Sequence, residues 1–546
     1  MKKMASLFLS FMLALVSFGG SVSLAENKVD FSEHKTFTIW LMSDSFDFYS
    51  DYSENPAVQY INNKFNVTLQ FQQPAAGTEQ DSLSLMFGTG EYTDMVDMSY
   101  YTGSIEELFQ DNVIIDIAEY LEYMPNLSAL LKKDDGYRKS FYNDEGRILT
   151  LRTLNTADEL IWGSMAYRRD ILETMTGGNI AFPSGNTEPI TIEDWEYMLP
   201  LFKQYFEAAG MTDYAPLILP SNGVFAYSEI VSGFGVGAGY YVEDGIVKYG
   251  PLEDGFYNYL AKMKEWYNAG YIYQDFASRT TDPFYLPNTS LTYGGAAGAW
   301  FALNSQLGDA MSMPEYGLHF DFQPMSSPLD TEHGITAAAP YNLIKYNMTD
   351  NKGFIVTKEC DDIPKLLSVM DYVYSEEGGM LYMGLTVEQG ATTDRYYVEA
   401  GLQDGAYWFD GGKVVFNPLF TKAGGTMNHE PFMNNRLPGI RNNRYDVEYA
   451  SEIFIKANTV WSMYADTAKQ SKLPSVISRP VSEDVQFTDA TVKLADHTNS
   501  VVPQFIMGTL ELNEKNWDEF KQQLIALGLN DNLRIQQDAY NRYLDR

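Results

Sequence analysis

The side chains of this sequence that could do chemistry are aromatic rings and carboxylates. Trp300 closes a run of small residues, Gly294-Gly295-Ala296-Ala297-Gly298-Ala299. Glycine lets a backbone approach a ligand closely. An indole placed there would stack on the C–H face of a ligand ring. A packed position between helices is the alternative. Trp162, in the run Ile161-Trp162-Gly163-Ser164, and Tyr407-Trp408, in a Gly-rich segment, are further ring candidates. Asp44, Asp47 and Asp97, with Tyr100 close behind, follow expected strand ends. Ligands of open α/β sheets collect outside the carboxyl ends of strands, and a carboxylate there can take two hydroxyls at once. A helix N-cap is the other role for such an Asp.

Catalytic arrangements are missing from the pattern. The five histidines, His34, His319, His333, His429 and His497, are scattered, and none forms an HExxH pair. There is one cysteine, Cys360, so neither a disulfide framework nor a zinc-type set is expected. No GxSxG elbow is present. Acid pairs are so common that a glycosidase dyad can be neither chosen nor excluded. No D-x-[DN]-x-[DN]-G loop marks a calcium site, and no cofactor motif is found. The run Gly233 to Gly239 lacks phosphate-loop spacing and reads as a tight loop, with cleft lining as the lesser alternative.

Charge narrows the partners. With 73 Asp and Glu against 38 Lys and Arg, the net charge is −35. Such a chain repels nucleic acid and anionic membranes. An anionic ligand would need a local basic pocket. The 39 Tyr, 32 Phe and 8 Trp, with few cations, suit a neutral polyhydroxylated ligand. The first 25 residues read as a secretory signal: Lys2 and Lys3, an apolar run from Leu7 to Phe18, and a small-x-small site at Ser23-Leu24-Ala25. Cleavage would leave Glu26 first, outside the cytoplasm, with no Cys nearby to carry a lipid; an uncleaved membrane anchor is the alternative, and the apolar run is short for one. A monomer is expected.

The supporting elements alternate. Phe37 to Met42 reads as a buried strand, Pro56 to Phe65 as a helix through Val58, Ile61 and Phe65, and Val67 to Phe71 as a strand. This β-α-β order predicts a parallel sheet. A helix ending near Gly88 and a strand over Asp94 to Met98 follow. Thr191 with Asp194 predicts a capping-box start, Gly270 a helix stop, and Asp244-Gly245 a hairpin turn. Trp40, Trp195, Trp266 and Trp517 read as core.

The stretch Gly353 to Gly390 pairs a short strand with an amphipathic helix, then Tyr374-Ser375-Glu376-Glu377-Gly378. It resembles a signature of the extracellular solute-binding proteins, family 1, of ABC sugar importers, in their large lipoprotein-like form. Similar matches occur at Asp111 to Leu127, Pro189 to Phe202, Tyr257 to Phe276 and Phe505 to Tyr543. The hairpin Asp144 to Leu149 matches less well. The resemblance implies two α/β lobes around a central ligand cleft, a periplasmic-binding-protein-like architecture with a hinge of several crossings. One lobe is expected over 29–157 with 319–385, the other over 158–318 with 386–546. It implies a non-enzymatic receptor that captures a neutral sugar, such as an oligosaccharide, and delivers it to ABC permease subunits. The missing lipid-bearing Cys departs from the family. A secreted glycan-active enzyme and a surface sensor or scaffold remain the alternatives.

Overall fold

The computed structural model describes residues 29–43, 51–155, 161–219, 229–278, 291–338, 352–411, 413–420, 436–441, 451–474 and 476–546. The expected secretory signal lies outside them, as do Asp44 and Asp47.

The opening β-α-β unit forms as the periodicity predicts. β1 (Lys35–Trp40) and β2 (Val67–Gln72) run parallel, with Lys35 opposite Val67. The helix Pro56–Phe65 connects them. Pro56 suits a first turn, where its missing N–H is not needed. The Asn55 side chain accepts the N–H groups of Ala57 and Val58, and Asn66 ends the helix in a left-handed conformation. The helix buries Val58, Ile61 and Phe65. β3 (Met95–Asp97) pairs in parallel with β1, and β11 (Phe354–Val356) runs antiparallel to β3. The sheet order is β11-β3-β1-β2. β3 and β11 are buried throughout, because layers cover both faces. β4 (Leu154–Asn155) pairs with the distant β14 (Ile440–Arg441).

A second sheet has the order β10-β5-β9-β6. Its strands are β5 (Gly163–Arg168), β6 (Ala215–Leu217), β9 (Ala297–Leu303) and β10 (Phe322–Pro324). β6 lies parallel to β9, and β5 antiparallel to both of its neighbours. The helix Ile192–Ala208 starts with the predicted capping box of Thr191 and Asp194. Its Phe202 explains the small residues before Trp300. A Cβ on Gly298 would stand 2.4 Å from the Phe202 ring, so glycine admits a helix side chain and not a ligand. β7 (Tyr240–Glu243) and β8 (Ile246–Tyr249) form the predicted hairpin, with Asp244 and Gly245 both at positive φ. β15 (Gln470–Ser471) joins this hairpin, while β12 (Tyr407–Asp410) and β13 (Lys413–Phe416) form another. The Gly233 run is tied down by the Asp330 N–H on the Gly233 carbonyl and the Gln470 amide on that of Gly235.

The cores divide the chain otherwise than the sequence predicts, at two places. Phe322 and Met325 pack with the second sheet, because β10 is an edge strand of that sheet. Ala391, Tyr397, Leu402, Tyr407, Phe416 and Leu437 share the core of β1 and β2, and the Tyr397 hydroxyl accepts the Leu385 N–H at 2.8 Å. Neither border carries a change of composition that a reader of the sequence could use. Core membership changes between Leu154 and Ile161, between Met325 and Phe354, and between Leu437 and Ala457.

The Tyr-Ser-Glu-Glu-Gly signature is structural. The Tyr374 ring is buried, the Ser375 side chain caps the helix Glu376–Met380 through the Gly378 N–H, and Glu377 pairs with Lys64 at 3.3 Å. A Cβ on Gly378 would collide with the Tyr372 carbonyl at 2.0 Å. Just before it, Asp371 accepts the N–H groups of Asn126 and Leu127 at 3.1 and 2.9 Å, capping the helix Pro125–Lys133. Burial pushes its carboxyl up to about 6 against these donors. A raised folded-state pKa gives stability that is complete below the unfolded value and lost as pH rises through the folded one. Asp371 should therefore contribute about 2–3 kcal/mol more at pH 4 than above pH 6. Urea melts of wild type and Asp371→Asn across this window should diverge by that amount. Parallel pH profiles would refute the shift.

Candidate functional site at the strand ends between the two cores

β1 and β3 end at one edge of the first sheet, and β11, running the other way, starts there. The Met98 N–H donates to the Gly353 carbonyl and the Tyr101 N–H to that of Met98, so the chain after β3 turns along this edge. Lys352, just before β11, donates from Nζ to the Tyr101 carbonyl. Beside it lies a crevice of about 560 Å³. Thr102, Ser104, Arg152 and Lys352 from the first core's segments form one wall, and Arg479, Asp484, Thr488 and Arg546 form the other. The opposite wall is built on the start of the long helix Val481–Met507. Asp484 sits in its first turn, where the helix dipole favours a carboxylate. Arg479 bonds Asp484 at 3.1 Å and the Gln536 amide oxygen at 2.8 Å, with its guanidinium 3.9 Å from the Phe487 ring centroid. Such an arrangement can bind a polar ligand. Among the described residues no group of three or more His, Cys, Asp or Glu is placed to hold a metal ion.

Asp97 ends β3 at this edge and is buried. It accepts the Ser99 N–H at 3.0 Å and the Ser99 hydroxyl at 2.6 Å. Burial raises its carboxyl above the usual range, while the Ser99 bonds and the Arg436 charge pull it back. Tyr100 beside it is exposed.

The expected ring candidates separate. Trp300 is 2% exposed and lies flat on Phe322, centroids 3.9 Å apart. Both faces are enclosed, so the stacking role expected for it does not fit, and it joins the core. Tyr407 is likewise buried in the first core. Its neighbour Trp408 is 41% exposed, because adjacent strand residues point to opposite faces. Trp162 is 38% exposed. It precedes β5 and its carbonyl accepts the Asn304 N–H, which places it at the carboxyl end of β9. Trp40, Trp195, Trp266 and Trp517 are core as expected, with Trp195 stacked on Trp266.

Lys352, Arg152 and Arg479 escaped the sequence reading. Their only signal there is scarcity, since bases are half as common as acids.

No family model matches this chain, and no curated protein matches it. Solved structures do. The calcium-free alginate-binding protein AlgQ2 is 17% identical, with 93% of this chain and 98% of that one covered and a TM-score of 0.68. The fold is periplasmic-binding-protein-like. The same architecture appears in a solute-binding protein of Bifidobacterium longum infantis, described as HMO-binding and ABC-transporter-associated. It is 15% identical over 93% of this chain and 99% of that one, with a TM-score of 0.68. Streptococcus pneumoniae FusA, an ABC-transporter substrate-binding protein in complex with kestose, is 16% identical with the same coverages and TM-score. In this periplasmic-binding-protein-like fold the two sheets with their separate cores are the two lobes.

Proposed function

We propose that this protein is the extracellular substrate-binding component of an ABC importer and captures a carbohydrate between its lobes. The observation that carries the reading is the whole-chain likeness to sugar receptors of that class, joined to a polar crevice at the strand ends. We place the lobes at about 29–155 with 353–441 and 161–338 with 451–546. A ligand touching both lobes favours the closed state by its differential affinity, and the closed shape is what permease subunits would bind. The ligand is an oligosaccharide, the protein is a monomer, and no catalytic step occurs. Export follows signal cleavage near Ala25. Among the described residues no helix is long and apolar enough to cross a membrane.

The test is a glycan panel read by thermal shift. A binding glycan at a hundredfold excess over its Kd should add about 3 kcal/mol of stability. Hydrolysis of the best binder by catalytic amounts of protein would overturn the reading. Trp162 is the stacking platform we assign, so Trp162→Ala should weaken binding by about 1–3 kcal/mol. It should hardly change the melting of the free protein, since the ring is part exposed. Unchanged affinity in calorimetric titration would leave Trp408 and Tyr100 as the exposed candidates.

A further inference from the structure

The crevice reverses the charge of the chain that builds it. Arg152, Lys352, Arg479 and Arg546 line it against two carboxylates, Glu106 and Asp484. Several of these are already engaged. Glu106 is held by Arg147 at 2.6 Å, Asp484 by Arg479 at 3.1 Å, and Arg546 by Asp144 at 2.7 Å. Lys352 is different. Its Nζ donates to a neutral carbonyl, that of Tyr101, and no carboxylate of a described residue lies within ion-pair distance. Burial holds its ammonium below the ordinary lysine range, against the pull of Asp484. Arg152 stands on the same wall, its Nε donating to the Thr150 hydroxyl at 3.1 Å. A half-buried cation with no carboxylate of a described residue in contact is costly, and an incoming anion relieves that cost through charge-assisted hydrogen bonds.

We propose that this crevice takes an anionic substituent, a carboxylate or a sulfate, carried on the bound glycan and seated against Lys352 and Arg152. This rests on the carbohydrate reading above and replaces the neutral sugar expected from composition. The overall charge of −35 sets a limit on the other side. The surface field repels polyanions, so the ligand bears one or a few charges on a mostly neutral chain.

The test uses matched oligosaccharide pairs on the whole mature protein. One pair is a galacturonate-containing tetrasaccharide and its carboxyl-reduced product. The other is a singly sulfated galactan tetrasaccharide and its desulfated product. Calorimetric titration should show the acidic member of one pair binding about tenfold tighter, and which pair responds identifies the group. Raising salt from about 0.05 to about 0.5 M should narrow that ratio. Lys352→Gln, which keeps a donor for the Tyr101 carbonyl, should abolish the ratio, with the acidic member losing about tenfold more affinity than its neutral partner. Equal affinity within both pairs, or equal losses for both members in Lys352→Gln, overturns the proposal. If neutral members and other neutral glycans bind while acidic ones gain nothing, the carbohydrate reading survives and this one fails. If no glycan of either kind binds, both fail.

Discussion

Replacing Asp144 with alanine should lower the unfolding free energy by about 3–5 kcal/mol, because it strands a buried arginine. Asp144 lies in the first lobe between Phe141 and Ile148, and its side chain is 10% exposed. Its two oxygens receive Arg546 Nε at 2.7 Å and Arg542 Nε at 2.9 Å. Both arginines come from the end of the helix Leu529–Asp545, which packs on Val481–Met507 and β8 in the second lobe. The Arg546 side chain is only 3% exposed. It keeps three acceptors without Asp144: the carbonyls of Lys139 and Val476 and the Ser478 hydroxyl. Those serve its terminal nitrogens but leave Nε–H and the charge without Asp144. Arg542 is more exposed, so Arg542→Ala should lose far less, about 1 kcal/mol or under. Urea melts of the two variants check the pair. Urea leaves ionic interactions unscreened, as guanidinium would not. Equal small losses would mean that the contact between the lobes here is made by packing alone.

Trp300→Ala should cost about 3–5 kcal/mol of stability, the scale for emptying a large core site. The ring is enclosed by Phe322 on one face and shares a cluster with Ala166, Met311 and Trp461. Partial collapse is limited, since Ala166 sits opposite Trp300 across β5 and β9, and a strand pair cannot move inward without losing its ladder. The affinity of the folded protein for its glycan should stay unchanged. Denaturant melts and calorimetric titration on the same variant decide the point. A large loss of affinity with an unchanged midpoint would return Trp300 to the cleft.

Trp300 also shows where local reading stops. A tryptophan after small residues fits a ligand platform and a core plug equally well, because both need close backbone approach. What approaches is the Phe202 ring, from a helix nearly a hundred residues upstream. Tyr407 and Trp408 carry the same lesson on a smaller scale. Strand alternation puts the two on opposite faces, but only the packing of the hairpin says which face is buried.

The sequence by itself determined the local elements. The helix Pro56–Phe65, the capping box at Thr191, the Asp244-Gly245 hairpin and the buried strands around β1 follow from spacing, caps and turn residues acting within a few positions. The order of those elements implied a parallel α/β sheet, and the two lobes were what the family resemblance implied. Tertiary structure alone decided which segments share a core and where the crevice lies. β10 belongs to the second sheet through its register with β5, and Ala391, Tyr397, Tyr407 and Leu437 to the first core that they share with β1 and β2. Lys352 meets Arg479 and Asp484 across a gap of more than a hundred residues in the chain. Charge acts through space, so a chain with twice as many acids as bases can still line one crevice with cations, and composition has no means of recording where they gather.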